Sequence, residues 1–106
     1  MHKVIVSLSL LLLIASIHSC TKRPYACFRT IPEEDSLKIN VPITFIASCS
    51  SNGEDFFWEF YDNPDSSEFG YSTVRTFHTA GQVEVFLLVA GNGKTAATTK
   101  MVTINP

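Results

Sequence analysis

From Gln82 to Ala90 the sequence is written with a period of two, and that period limits the chain to strands. Val83, Val85, Leu87 and Val89 fall on one side; Glu84, Phe86 and Leu88 fall on the other. Gly91-Asn92-Gly93 follows, and β-prone sequence resumes from Ala96 to Ile104. Asn-Gly tolerates positive φ, so the segment predicts two strands joined by a tight hairpin. The same alternation occurs upstream. Ile43, Phe45 and Ala47 share one face of Val41–Cys49, with Thr44 and Ser48 opposite; Phe56, Trp58 and Phe60 share a face of Phe56–Tyr61. Ala26–Thr30 and Tyr71–His78 read as further strands. Pro32–Asn40 reads as a polar connection, Asp62–Gly70 as a loop, and Asn52-Gly53 and Ala80-Gly81 as turns. No helical period follows Cys20. Short strands at spacings of about ten residues predict an all-β sandwich.

The N-terminal segment has a different character. His2 and Lys3 precede a run from Val4 to Ile17 that is apolar apart from Ser7, Ser9 and Ser16. That is the length of a signal-peptide core, and short of the roughly 20 residues needed to span a bilayer. Ile17-His18-Ser19-Cys20 resembles the lipobox of bacterial lipoproteins, with an aliphatic residue three before the cysteine and a small one directly before it. His18 departs from the usual small residue. The resemblance implies cleavage before Cys20 and a lipid on its thiol; an ordinary secretory signal with a chance cysteine, or an uncleaved anchor, is the alternative. One acyl chain anchors marginally, whereas a triacylated cysteine would hold permanently. The expected organisation is therefore a signal peptide over 1–19, a lipid-anchored tether over 20–25 and a sandwich domain over 26–106. Thr21-Lys22-Arg23 lacks an aspartate after the cysteine, which favours the outer membrane. It also lacks the acidic run that resembles surface-export signals, which favours the periplasmic face while leaving both faces open.

Residues 20–106 number 87, with seven Lys/Arg against ten Asp/Glu and a formal net charge of −3. There is no basic stripe, which argues against nucleic-acid binding. Lys22-Arg23 is the one basic cluster and lies beside the lipid, near anionic headgroups. With Cys20 assigned to lipid, Cys27 and Cys49 form an even pair in an exported chain, where disulfides persist. A bond between them would close a loop of about 22 residues. Two buried free thiols are the alternative. No Cys or His has a partner at zinc spacing, so no metal is expected.

Three stretches resemble PKD domains, immunoglobulin-like sandwiches common in exported bacterial proteins. Val41-Pro42-Ile43-Thr44-Phe45-Ile46-Ala47-Ser48-Cys49-Ser50 is similar to the family's P-V-T-F-x-A-S-x-S strand. Phe57-Trp58-Glu59-Phe60-Tyr61-Asp62-Asn63 stands where the family has Y-x-W-D-F-G-D-G. Phe77 to Val89 is similar to Y-x-x-x-G-x-Y-x-V-x-L-x-V. Together they cover about residues 25–105. Tyr61 and Asn63 replace two glycines and Glu59 an aspartate, so the turn after the third strand is expected to depart from the family's. The resemblance implies an immunoglobulin-like β-sandwich of about seven strands. Lipoprotein members with A-C-F in the first strand and a cysteine ending the second imply a Cys27–Cys49 disulfide.

Strand parity places Trp58 in the core beside Phe45, Phe60, Phe77, Val85 and Leu87. Phe57, Tyr61, Phe86 and Leu88 take the opposite parity. The third and sixth strands of such a sandwich are neighbours, so these four would form an apolar strip on one sheet's outer face. That strip is either a partner surface or is covered by the 62–70 loop. The acidic runs Glu33-Glu34-Asp35, Glu54-Asp55 and Asp62, Asp65, Glu68 raise calcium, but none has EF-hand spacing. His78 stands alone, and no nucleophile elbow or phosphate loop is present. The expected role is non-catalytic and cofactor-free: an envelope lipoprotein held by lipid on Cys20, binding a protein, or alternatively a carbohydrate.

Overall fold

The computed structural model describes residues 22–62 and 65–106. The segment expected as a signal peptide, Cys20 and Asn63 lie outside the described residues. Seven strands form, β1 Arg29–Ile31, β2 Ile43–Ile46, β3 Asp55–Tyr61, β4 Ser66–Phe69, β5 Ser72–Arg75, β6 Gly81–Gly91 and β7 Lys94–Ile104, with one 3-10 turn at Glu34–Ser36. They pair antiparallel in two sheets, ordered β1-β2-β5 and β4-β3-β6-β7. This is an all-β sandwich with the strand order of immunoglobulin-like domains.

The core follows the pleat. Trp58 and Phe60 from β3, Val85, Leu87 and Val89 from β6, and Val102 and Ile104 from β7 point inward and meet Phe28, Ile43, Phe45 and Phe77 from the opposite side. Trp58 is wholly buried. Phe28 stands edge-on to its ring at 5.3 Å, and Phe45 packs edge-on to Phe60 at 4.9 Å. Edge-to-face contacts of this kind add about 0.5–1.5 kcal/mol each beyond the area buried. A buried indole also needs an acceptor for its N–H. Trp58 Nε1 donates to the Gly70 carbonyl at 2.8 Å. Gly70 reaches that position at φ 130°, a region closed to side-chain-bearing residues.

Two turns have the chemistry their geometry needs. The β6–β7 hairpin pairs Gly91 with Lys94, so Asn92 and Gly93 form a two-residue loop at φ 57° and 71°. Positive φ at both positions is the primed turn that matches strand twist. Gly91 lies where a Cβ would meet the Asn52 carbonyl at 2.3 Å, so hairpin and 47–54 loop touch backbone to backbone.

Residues 62–70, expected as a loop, contain strand β4, which pairs with β3 from Phe57↔Phe69 to Phe60↔Ser66. Four residues at a sheet edge, three of them Ser or Glu, carry too little alternation to read. The first two strands are also shorter than expected. Beyond Ile46 the chain turns, with Ser50 N–H on the Ala47 carbonyl at 2.9 Å. The Ser50 hydroxyl then takes over the ladder's work at Cys27, accepting from its N–H at 2.9 Å and donating to its carbonyl at 2.6 Å. Beside this contact Cys27 and Cys49 form a disulfide with Cα atoms 5.1 Å apart. Replacing both by alanine (Cys27→Ala with Cys49→Ala) is expected to lower stability by about 3 kcal/mol, as loop closure predicts. Urea denaturation measures this; an unchanged midpoint would show that Ser50 and the core already hold the two ends.

Candidate functional site

The outer face of the four-stranded sheet follows from its register. Phe57 pairs with Leu88 in β6 and with Phe69 in β4, and Leu88 pairs with Ala97 in β7. One row therefore runs Phe69–Phe57–Leu88–Ala97 across the sheet. The next row runs Ser67–Glu59–Phe86–Thr99, and the third holds Tyr61, Glu84 and Met101. Phe57, Phe86 and Leu88 are half-buried, while Phe69 is 80% exposed, Met101 53% and Tyr61 42%. The structure thus brings the four sequence-derived residues onto one face. It also adds Phe69, whose ring lies 4.9 Å from that of Phe57. Because β4 lies beside β3 as an edge strand, it extends the strip sideways and does not lie over Phe86 or Leu88.

Sequence reasoning missed Phe69, since its segment read as loop. The available signal was small: one aromatic before Gly70, at the parity that a strand paired to β3 would need. It also missed the face's charge. Asp55, Glu59 and Glu84 all point outward with the aromatics. Among the described residues, no outward position of these four strands carries Lys or Arg. The Tyr61 hydroxyl donates to Glu59 Oε2. That bond holds the Tyr61 phenol above its usual range, with loss of water and then the negative charges of Glu59, Glu84 and Asp65 acting in the same direction.

The other polar groups do not converge on a site. Arg75 Nη2 bonds both oxygens of Asp62 at 2.8 Å, with its guanidinium over Phe60 and Phe77 at 5.3 and 5.5 Å. A cavity of about 340 Å³ opens beside it, lined by Asp62, Arg75, His78 and Gln82 among others. There His78 Nδ1 lies 2.8 Å from Asn40 Oδ1, so the ring is held by an amide. The acidic runs raised for calcium are dispersed. Glu34 faces Lys100 Nζ at 2.5 Å, and Asp62 faces Arg75. No group of three His, Cys, Asp or Glu suited to a metal occurs among the described residues.

The architecture has a relative among solved structures. The sandwich is similar to a structure of carbohydrate-binding modules from the β-sandwich superfamily. The TM-score is 0.66 and the identity 21%, over 80% of this chain. This chain spans 35% of the length of that one. No protein-family model matches the sequence, and no curated protein matches it. At this identity the likeness establishes the β-sandwich fold alone.

The Tyr61–Glu59 pair is directly testable. Spectrophotometric titration should find one tyrosine that ionises above its ordinary value, and Glu59→Gln should bring that titration back toward 10.0. A raised phenol pKa means the contact persists below pH 10 and is lost as pH rises through the folded-state value. A curve unmoved by Glu59→Gln would show that the contact does not hold the phenol.

Proposed function

We propose that the protein is an envelope lipoprotein, held in the membrane by lipid on Cys20, whose PKD-like sandwich is a non-catalytic docking module. The observation that carries the docking role is the Phe69–Phe57–Leu88–Ala97 row, continued by Phe86, Tyr61 and Met101. Apolar side chains grouped on one sheet face favour association, because burying them removes apolar area from water. The charges select the partner's chemistry. A face carrying Asp55, Glu59 and Glu84 without a base is complemented by a protein surface that combines apolar side chains with Lys or Arg. The module itself needs no cofactor. Thr21-Lys22-Arg23, with no aspartate directly after Cys20 and no acidic run, supports placement at the outer membrane and favours the periplasmic face while leaving both faces open.

A photo-crosslinker at position 69 should capture a partner in intact cells. Leu88→Lys and the charge reversal Glu59→Lys should each reduce capture at least tenfold without lowering the melting temperature. Capture that survives both changes would overturn the assignment of this face. Intact-mass analysis tests the anchor: the expected mature chain begins at an acylated Cys20, and a different start or a free thiol there would refute it.

A second reading has one specific observation behind it. The similar structure is described as a carbohydrate-binding module of promiscuous specificity, and Phe69 is an exposed ring on the face that also carries Asp55 and Glu59, a combination that suits sugar stacking. Calorimetry against soluble envelope glycans separates the readings. Heat that disappears in Phe69→Ala but persists in Leu88→Lys would favour a glycan.

A further inference from the structure

The end of the sandwich at which the described chain begins carries features that the outer face does not use. Residues 22–25, the 47–54 loop, the turn at Gly70–Tyr71 and the β6–β7 hairpin meet there. The first described residues are clamped to this end. Asn92 Nδ2 donates to the Lys22 carbonyl at 3.1 Å, and Asn52 Nδ2 donates to the Arg23 carbonyl at 3.1 Å. Tyr25 exchanges both backbone hydrogen bonds with Ser51, at 2.9 and 3.1 Å. From Lys22 onward the segment expected as a tether is therefore hydrogen-bonded to the domain.

Charge divides along the same axis. Lys22, Arg23, Arg29 and Lys94 lie at this end with Glu54 and Asp55, a formal balance of +2. The rest of the described chain holds Lys38, Arg75 and Lys100 against eight Asp and Glu, a balance of −5. Two exposed tyrosines accompany the basic residues: Tyr25, 61% exposed, and Tyr71, 49% exposed. Tyr71 is placed at this end by its carbonyl, which accepts from Ala47 N–H at 3.0 Å. Phenol rings with an apolar body and a polar tip settle at membrane–water interfaces, and Lys and Arg beside them are drawn to anionic headgroups.

We infer that this end is a membrane footprint: Lys22, Arg23, Tyr25, Tyr71 and Lys94 seat the domain on an anionic lipid surface. The inference rests on the proposed anchor for reach alone. Cys20 is two residues from Lys22, so at most about 7 Å of chain separates a lipid there from the clamped start. The footprint's own chemistry does not depend on the acyl group.

Nitration of tyrosines by tetranitromethane, mapped by mass spectrometry, tests this on the full chain as the producing cell processes it. The protein is reconstituted in phosphatidylcholine vesicles with and without phosphatidylglycerol, and each tyrosine is compared with itself. Tyr25 and Tyr71 should react several-fold more slowly when phosphatidylglycerol is present, and Tyr61, at the far end, should not change. High salt should remove the protection, as should Lys22→Glu with Arg23→Glu, each charge being worth about fivefold in affinity. Equal rates at Tyr25 and Tyr71 in both vesicles, or equal protection of Tyr61, would overturn the footprint. The N-terminal peptide of the same digest reports the acyl group. An unmodified Cys20 with Tyr25 and Tyr71 still protected would refute the anchor and leave the footprint standing.

Discussion

The pairing of β3 with β6 sets the character of both faces of the larger sheet. Seven consecutive positions, Asp55↔Ala90 to Tyr61↔Glu84, are in register. A strand's side chains alternate strictly, so the pairing that buries Trp58 opposite Leu87 must also put Phe57 opposite Leu88 on the outside. A slip of one residue would exchange the faces, burying Glu59 and exposing Trp58. The core thus holds the register, and the register builds the outer face. Unlike the exposed charges around it, the apolar row cannot be moved without dismantling the sandwich.

The smaller sheet depends on different contacts. Its strands are three or four residues long, so ladder bonds alone hold it weakly. Side chains supply the remainder. The disulfide and the Ser50 hydroxyl tie the chain before β1 to the chain after β2. Lys100 Nζ reaches from β7 to the Phe28 carbonyl at 3.1 Å, above the Phe28 ring, and so joins the larger sheet to the segment before β1. Gly70 and Trp58 make the corresponding link on the other side, where the chain crosses from β4 to β5.

These differences explain how much the sequence revealed. β3 and β6 are long and alternate cleanly, one preceded and the other followed by an Asn-Gly turn, so their faces and the core set of Phe45, Trp58, Phe60, Phe77, Val85 and Leu87 could be read directly. The outward grouping of Phe57, Tyr61, Phe86 and Leu88 followed from the same parity. β4 could not be read, because Ser66-Ser67-Glu68-Phe69 has the composition of a loop and becomes a strand through the exposed edge of β3. With β4 went Phe69, the most exposed aromatic of the face. The clamp on Lys22 and Arg23 was equally hidden, since it uses side-chain amides of Asn52 and Asn92 that are 29 and 70 residues along the chain, in turns chosen for backbone reasons.

The two proposed surfaces constrain one another through the strand direction. β6 runs 11 residues, about 37 Å, from Gly81 to the hairpin beside Lys22. With the basic end on the lipid, β3 and β6 run away from the surface and the outer face stands side-on to the bilayer. Its rows then lie at increasing height: Phe69–Phe57–Leu88–Ala97 nearest the lipid, then Glu59 with Phe86, then Tyr61 with Met101. A partner in that geometry would approach from the side, parallel to the bilayer. The acidic bias of the rest of the domain contributes to the same arrangement, because an anionic surface repels that part and rotates the basic end toward the lipid. Orientation on the membrane as proposed would remove rotational freedom before a partner arrives, and so would lower the entropic cost of docking on a modest apolar face.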